Sequence, residues 1–349
     1  MDIVNWRSLR GFIGLVVALL FLVATLTQAV QSAPDSTSYL VYLPLIQSPE
    51  ILQPSEEVTV QITPDAGLNA STFNVGSFVI TNSAENSQRI SKIRLDLGSA
   101  FLPDMVFDPN GIAGDTTAKN LQVDSNASAY QSHAFLAPHD GGFDILEINF
   151  TGFGPGESFT FSLDVDPTSI KGTAAPGPNE SGSVSGLELV GTAVTVTLAD
   201  GTLLNGEIFR QEGSNGGGDL LLREGLLAAP TLELVGSTTP PATVMQASQT
   251  VRVTGEPGRT VRLLVVEGGL FTTAVPGGGF DLDPFEANSA LKITETSGII
   301  TFSGTVDLPV TLSRSQAEGG LNYIVAVQED GFGNKGMVSA PIVLEYVTP

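Results

Sequence analysis

Between Asp96 and Asp166 the chain carries eleven acidic side chains against a single base, Lys119. Within that stretch Asp108-Pro109-Asn110-Gly111, followed by Asp115, sets hard oxygen donors at short spacing, with glycine to let the backbone curl. Calcium takes about six to eight oxygen ligands at about 2.3–2.6 Å. Asp108, Asn110 and Asp115 therefore form a candidate calcium loop, joined by Asp104, Asp164 and Asp166 from neighbouring strands. The spacing differs from the helix–loop–helix calcium signature, and the competing reading is that these carboxylates solvate turns and outer strand faces. Calcium is the one cofactor the sequence suggests.

Other chemistry has less to stand on. His133 and His139 sit near Asp140 and Asp144, and two imidazoles with an acid are a zinc or triad vocabulary. A serine nucleophile lacks its elbow, however, because Gly182-Ser183-Val184-Ser185-Gly186 has valine at the nucleophile position. Glycoside hydrolysis needs two carboxylates roughly 5–10 Å apart across a cleft, a distance that sequence does not encode. No catalytic residue is assigned. A sugar-stacking face would fall to Tyr130, Phe135, Phe143 and Phe153, although phenylalanines in such a sequence more often belong to a core.

The elements that must position these residues read as strands. Ile93, Leu95 and Leu97 alternate with Arg94 and Asp96, and Leu146, Ile148 and Phe150 with Glu147 and Asn149. Phe159, Phe161, Leu163 and Val165 alternate with Thr160, Ser162 and Asp164. A period of two puts one set on a core and the other in water. Asp200-Gly201 between two such runs is a hairpin signal. The single helical candidate is 220–227, weakened by Gly225. After the Thr238-Thr239-Pro240-Pro241 break, Val251 and Val253, then Val261, Leu263 and Val265, then Tyr323, Val325 and Val327 repeat the pattern. The fold class is all-β: two antiparallel β-sandwich domains after an N-terminal signal peptide. Expected boundaries are a signal peptide over 1–32, a Pro-rich tether over 33–56, an acidic sandwich over 57–235 and an immunoglobulin-like sandwich over 236–349.

Export is read from Arg7 and Arg10, the apolar run 11–26, and Thr27-Gln28-Ala29, which follow the order of a charged region, an apolar region and a small-residue cleavage site. An uncleaved membrane anchor is the alternative, and either arrangement places the remainder outside the cytoplasm. The chain has no cysteine, so disulfides and thiolate sites are excluded. A net charge of −22 excludes nucleic acid as a partner and leaves metal cations, an extracellular polymer or a cell-surface component. Membrane contact is expected only through an uncleaved N-terminal segment.

The segment Tyr323-Ile324-Val325-Ala326-Val327-Gln328-Glu329-Asp330-Gly331-Phe332-Gly333-Asn334-Lys335-Gly336 resembles the last strands of bacterial immunoglobulin-like domains. Leu102-Pro103-Asp104-Met105-Val106-Phe107-Asp108-Pro109, Pro155-Gly156-Glu157-Ser158-Phe159 and Asp164-Val165-Asp166-Pro167 resemble a module of bacterial secreted proteins found alongside carbohydrate-binding malectin-like domains. That second likeness transfers no binding site. Together these features imply a secreted or surface-displayed non-catalytic accessory or binding protein, with carbohydrate as a candidate ligand and calcium as a candidate stabiliser. The alternatives are a secreted carbohydrate-active hydrolase using a carboxylate pair and a purely structural envelope protein.

Overall fold

The computed structural model describes residues 56–66, 70–100, 105–168, 171–172, 184–224, 227–236, 243–268, 293–313, 321–331 and 333–347. The chain divides into Met1–Leu52 and Gln53–Pro349. The expected signal peptide and nearly all of the tether lie outside the described residues, as does Asp104.

The alternating segments become strands. The first sandwich uses β1 (Glu57–Ile62), β2 (Phe78–Asn82), β3 (Ile90–Asp96), β4 (Met105–Phe107), β5 (Gln122–Ser125), β6 (Tyr130–His139), β7 (Gly142–Phe153), β8 (Ser158–Ser162), β9 (Val165–Pro167), β10 (Ala193–Leu198), β11 (Leu203–Glu207), β12 (Phe209–Arg210) and β13 (Gly218–Arg223). One sheet runs β12-β13-β1-β2-β8-β5; the other runs β11-β10-β3-β7-β4-β9, with β6 added along β7. Period-two burial faces the sheets toward each other. Val58, Val60, Phe78, Ile80, Phe159 and Phe161 from the first meet Ile93, Leu95, Leu146, Ile148, Val194 and Val196 from the second in one core. The Asp200-Gly201 turn joins β10 to β11, paired Val196 to Leu204, and Gly201 takes φ +93°, which glycine adopts freely.

The helical reading of 220–227 is wrong for its first half. Leu220 and Leu222 are buried while Asp219, Leu221 and Arg223 are half-buried, a strand pattern, and β13 pairs along the full length of β1. Tertiary pairing overrides the leucine-rich helix propensity there.

The second sandwich uses β14 (Thr231–Leu234), β15 (Thr243–Val244), β16 (Ser248–Thr254), β17 (Thr260–Gly268), β18 (Ile293–Ile299), β19 (Thr305–Thr311), β20 (Leu321–Glu329) and β21 (Ile342–Tyr346). Its sheets run β14-β16-β19 and β15-β21-β20-β17-β18. The pairings are antiparallel except for the short β15–β21 contact, which is parallel. β14 precedes Gly236 in sequence and pairs with β16, so this sandwich takes its first strand from ahead of the composition break.

Both faces of the five-stranded sheet are covered. Val261, Leu263, Val265, Ile324 and Ala326 point into the second core with Val251, Val253, Leu308 and Val310. Leu264, Val266, Tyr323, Val325 and Val327, on the opposite face, belong to the core of the first sandwich. Buried polar links run along this junction. Arg262 pairs with Glu295 at 2.5 Å and Glu329 at 3.2 Å, and Arg210 pairs with Glu295 at 2.8 Å. Lys335 pairs with Asp219, and the Val338 amide donates to Glu207 at 2.6 Å.

Candidate metal centre

The acidic centre is built where β4 meets β9. Val106 lies opposite Asp166 and Phe107 opposite Val165, and the Asp108 amide donates to the Asp164 carbonyl at 3.0 Å. In the Asp164-Val165-Asp166 triplet, alternation sends the two carboxylates to one face and Val165 to the other. The alternation reading placed Asp164 in water. Instead Asp164 is 3% exposed and Asp166 0%, because the chain from Phe161 to Pro167 is buried on both sides.

Asp108 is buried and lies outside the group of acids that converges. Its carboxylate accepts the amides of Ile112 (3.1 Å), Ala113 (2.7 Å) and Gly114 (3.0 Å). It thereby organises the 108–117 loop, turning backbone donors inward onto one anion. Gly114 is then pressed flat on Asp166: a Cβ built there would lie 2.1 Å from Asp166 Cβ. The next residue, Asp115, donates its amide to Asp166 Oδ2 at 3.2 Å, and its own Oδ1 accepts the Thr117 amide at 2.5 Å. Sequence reasoning passed over Gly114. Its signal was a glycine directly before an acid in a loop already suspected of curling.

The result is a trio. Asp115, Asp164 and Asp166 are all buried and offer carboxylate oxygens within 4.8 Å of one another. Asp164 Oδ2 and Asp166 Oδ1 have no hydrogen-bond partner. Burial, reinforced by the charges of Asp115 and Asp108, pushes the Asp164 carboxyl well above the usual carboxylate range, against a smaller opposing pull from Lys119. Asp166 is raised in the same direction by burial and then by Asp164, Asp115 and Asp108, against the amide of Asp115. Lys119 is engaged elsewhere, with Nζ on Ser162 Oγ at 2.8 Å and on the Phe73 carbonyl, and 4.7 Å from the Phe73 ring centre.

Of the expected ligands, then, the structure brings Asp115, Asp164 and Asp166 together and assigns Asp108 a scaffolding role. Asn110 is exposed in the turn, whereas the trio is buried. The histidines do not join the trio. His133 is held between Tyr130 Oη (2.7 Å) and Asn120 Oδ1 (3.1 Å), and burial lowers its pKa. His139 pairs with Asp144 at 2.8 Å in the β6–β7 turn region. The aromatic candidates close the sandwich edge. Phe153 is fully buried, Phe135 packs on Phe107 and Phe143 at 6.1 and 5.6 Å, and Tyr130 stacks on buried Phe159 at 6.4 Å.

No protein-family model matches the chain, and neither does the sequence of any curated protein. Among solved structures it is similar to a protein of Corynebacterium diphtheriae described as membrane anchored, at 10% identity and TM-score 0.22, over 84% of this chain and 58% of that one. It is also similar to the native conformation of the E. coli alpha-2-macroglobulin, at 11% identity and TM-score 0.24, over 84% of this chain and 14% of that one. The major pilin subunit of Bacillus cereus aligns at 10% identity and TM-score 0.21, over 84% of this chain and 66% of that one. Likeness at TM-scores this low says nothing of function.

Proposed function

We propose that this chain is a secreted or surface-displayed, non-catalytic accessory protein of the cell exterior. One observation carries the reading: among the described residues, the group of three acids that converges lies inside the protein. A glycosidase needs its acid and its base or nucleophile on either side of a bound sugar. Asp115, Asp164 and Asp166 are 5%, 3% and 0% exposed, too buried to flank a bound sugar. The sequence pattern of an export signal at 1–32 and the cysteine-free acidic composition support an extracellular setting.

The ligand we propose is an extracellular carbohydrate polymer or a cell-surface component. The burial of Phe153 and the packing of Tyr130 and Phe135 into the sandwich edge favour a second reading, a purely structural envelope protein. Incubating the chain with soluble and insoluble polysaccharides, and measuring both retention and new reducing ends, tests the proposal. Retention without reducing ends supports the accessory reading; absence of both supports the structural one. Reducing ends released by the wild-type chain would establish a hydrolase and overturn both.

A further inference from the structure

We infer that Asp115, Asp164 and Asp166 bind one hard divalent cation of the calcium class, which clasps the 108–117 loop to β9. The inference stands whichever extracellular ligand the protein takes. Two fully buried carboxylate oxygens, Asp164 Oδ2 and Asp166 Oδ1, lack any donor, and a polar group buried without a partner is strongly disfavoured. The two residues that carry them and the buried Asp115 each offer a carboxylate oxygen within 4.8 Å of the others, an arrangement that a cation satisfies at once. The donor set contains oxygen alone, which suits calcium, magnesium or manganese and not the softer metals. Oxygens on opposite sides of calcium are separated by about 4.6–5.2 Å, twice the usual ligand distance, so the span fits that ion.

The surrounding loop delivers this geometry. Asp108 gathers three consecutive amides, Gly114 allows the backbone to lie on Asp166 where any side chain would collide, and Asp115 follows directly. Asp108 is the organiser of the site and the three later acids are its ligands, a division that separates them experimentally.

The test uses the full chain stripped with chelator. Calorimetric titration with calcium chloride should show one equivalent bound, and saturating calcium should raise the melting temperature by several degrees. Asp164→Asn and Asp166→Asn keep the side-chain shape. Each should weaken calcium binding by roughly a hundredfold or more, while in chelator each melts at or above the wild type because a carboxyl whose charged form burial disfavours is gone. Asp108→Asn should melt lower with and without calcium yet keep its calcium response. The inference is overturned if millimolar calcium neither binds nor shifts the melting of the wild-type chain. It is equally overturned if the Asp164 and Asp166 variants retain the full calcium response. Should one of the two variants fail to fold, the other decides.

Discussion

Asp108 and Asp164 show how far residue type constrains role. Both are buried aspartates at the β4–β9 junction, yet one carboxylate accepts three amides and the other leaves an oxygen unpartnered. Hydrogen bonds to a charged group are worth about 1.5–3 kcal/mol each where the alternative is a buried unmet donor. Asp108→Ala should therefore lower stability by on the order of 3 kcal/mol or more, measured by denaturant unfolding in chelator. A second residue-scale prediction concerns Glu295. Burial pushes its carboxyl up, but the hydrogen bonds and charges of Arg262 and then Arg210 outweigh that, and its pKa falls below the ordinary 4.5. A depressed folded pKa means that the unfolded chain takes up the proton first as acid is added. The stability Glu295 contributes is thus present above about pH 4.5 and is lost as the pH falls through the folded value. Glu295→Gln should flatten that acid limb and, by leaving buried Arg210 without its carboxylate and Arg262 with Glu329 alone, cost roughly 3 kcal/mol at neutral pH. An unchanged acid limb in the variant would show that the Arg210–Glu295–Arg262 cluster is not linked to folding. The presence of acids near 108–115 was legible in sequence. Which oxygens are spent was not, because the amides of Ile112, Ala113 and Gly114 carry no side-chain signature.

At the scale of elements, period-two reading located β3, β7, β8 and β10 and the hairpin after β10, since each has one face in a core. It misjudged elements with both faces buried. In β17 alternation makes Val261, Leu263 and Val265 the inward set, but Arg262, Leu264 and Val266 are buried as well. The sequence carried the sign of this in the unbroken run Leu263-Leu264-Val265-Val266, which is how a strand covered on both sides reads. The same holds for Ile324 to Val327 in β20. Leu263→Ala and Leu264→Ala should each cost about 2–5 kcal/mol, but in different places. Leu263 is in the second core and Leu264 in the core it shares with the first sandwich. Hydrogen exchange should show Leu264→Ala loosening β1, β13 and β20 together. Exchange changes confined to β17 and its partners β18 and β20 would contradict the shared core.

Over the whole molecule, a chain without cysteine is held by core continuity and, as proposed, by a cation. The Thr238-Thr239-Pro240-Pro241 segment reads in sequence as a linker whose cleavage frees two stable fragments. The junction of Leu264, Val266, Tyr323, Val325 and Val327 with the first sandwich, together with the Arg262 and Lys335 ion pairs, gives a different expectation. After nicking within 237–242 the two fragments should co-elute on size exclusion and melt in one transition. Separate elution of two folded fragments would contradict it.

The cation is the part of the account most open to direct observation. Crystals grown with calcium, with diffraction measured at a wavelength where calcium scatters anomalously, would place the ion without reference to any assay. The account predicts one anomalous peak enclosed by Asp115, Asp164 and Asp166, at about 2.3–2.6 Å from their oxygens, with Asp108 still capping the amides of 112–114. Density showing the three carboxyls hydrogen-bonded to one another or to water, with no anomalous peak among them in calcium-soaked crystals, would contradict it.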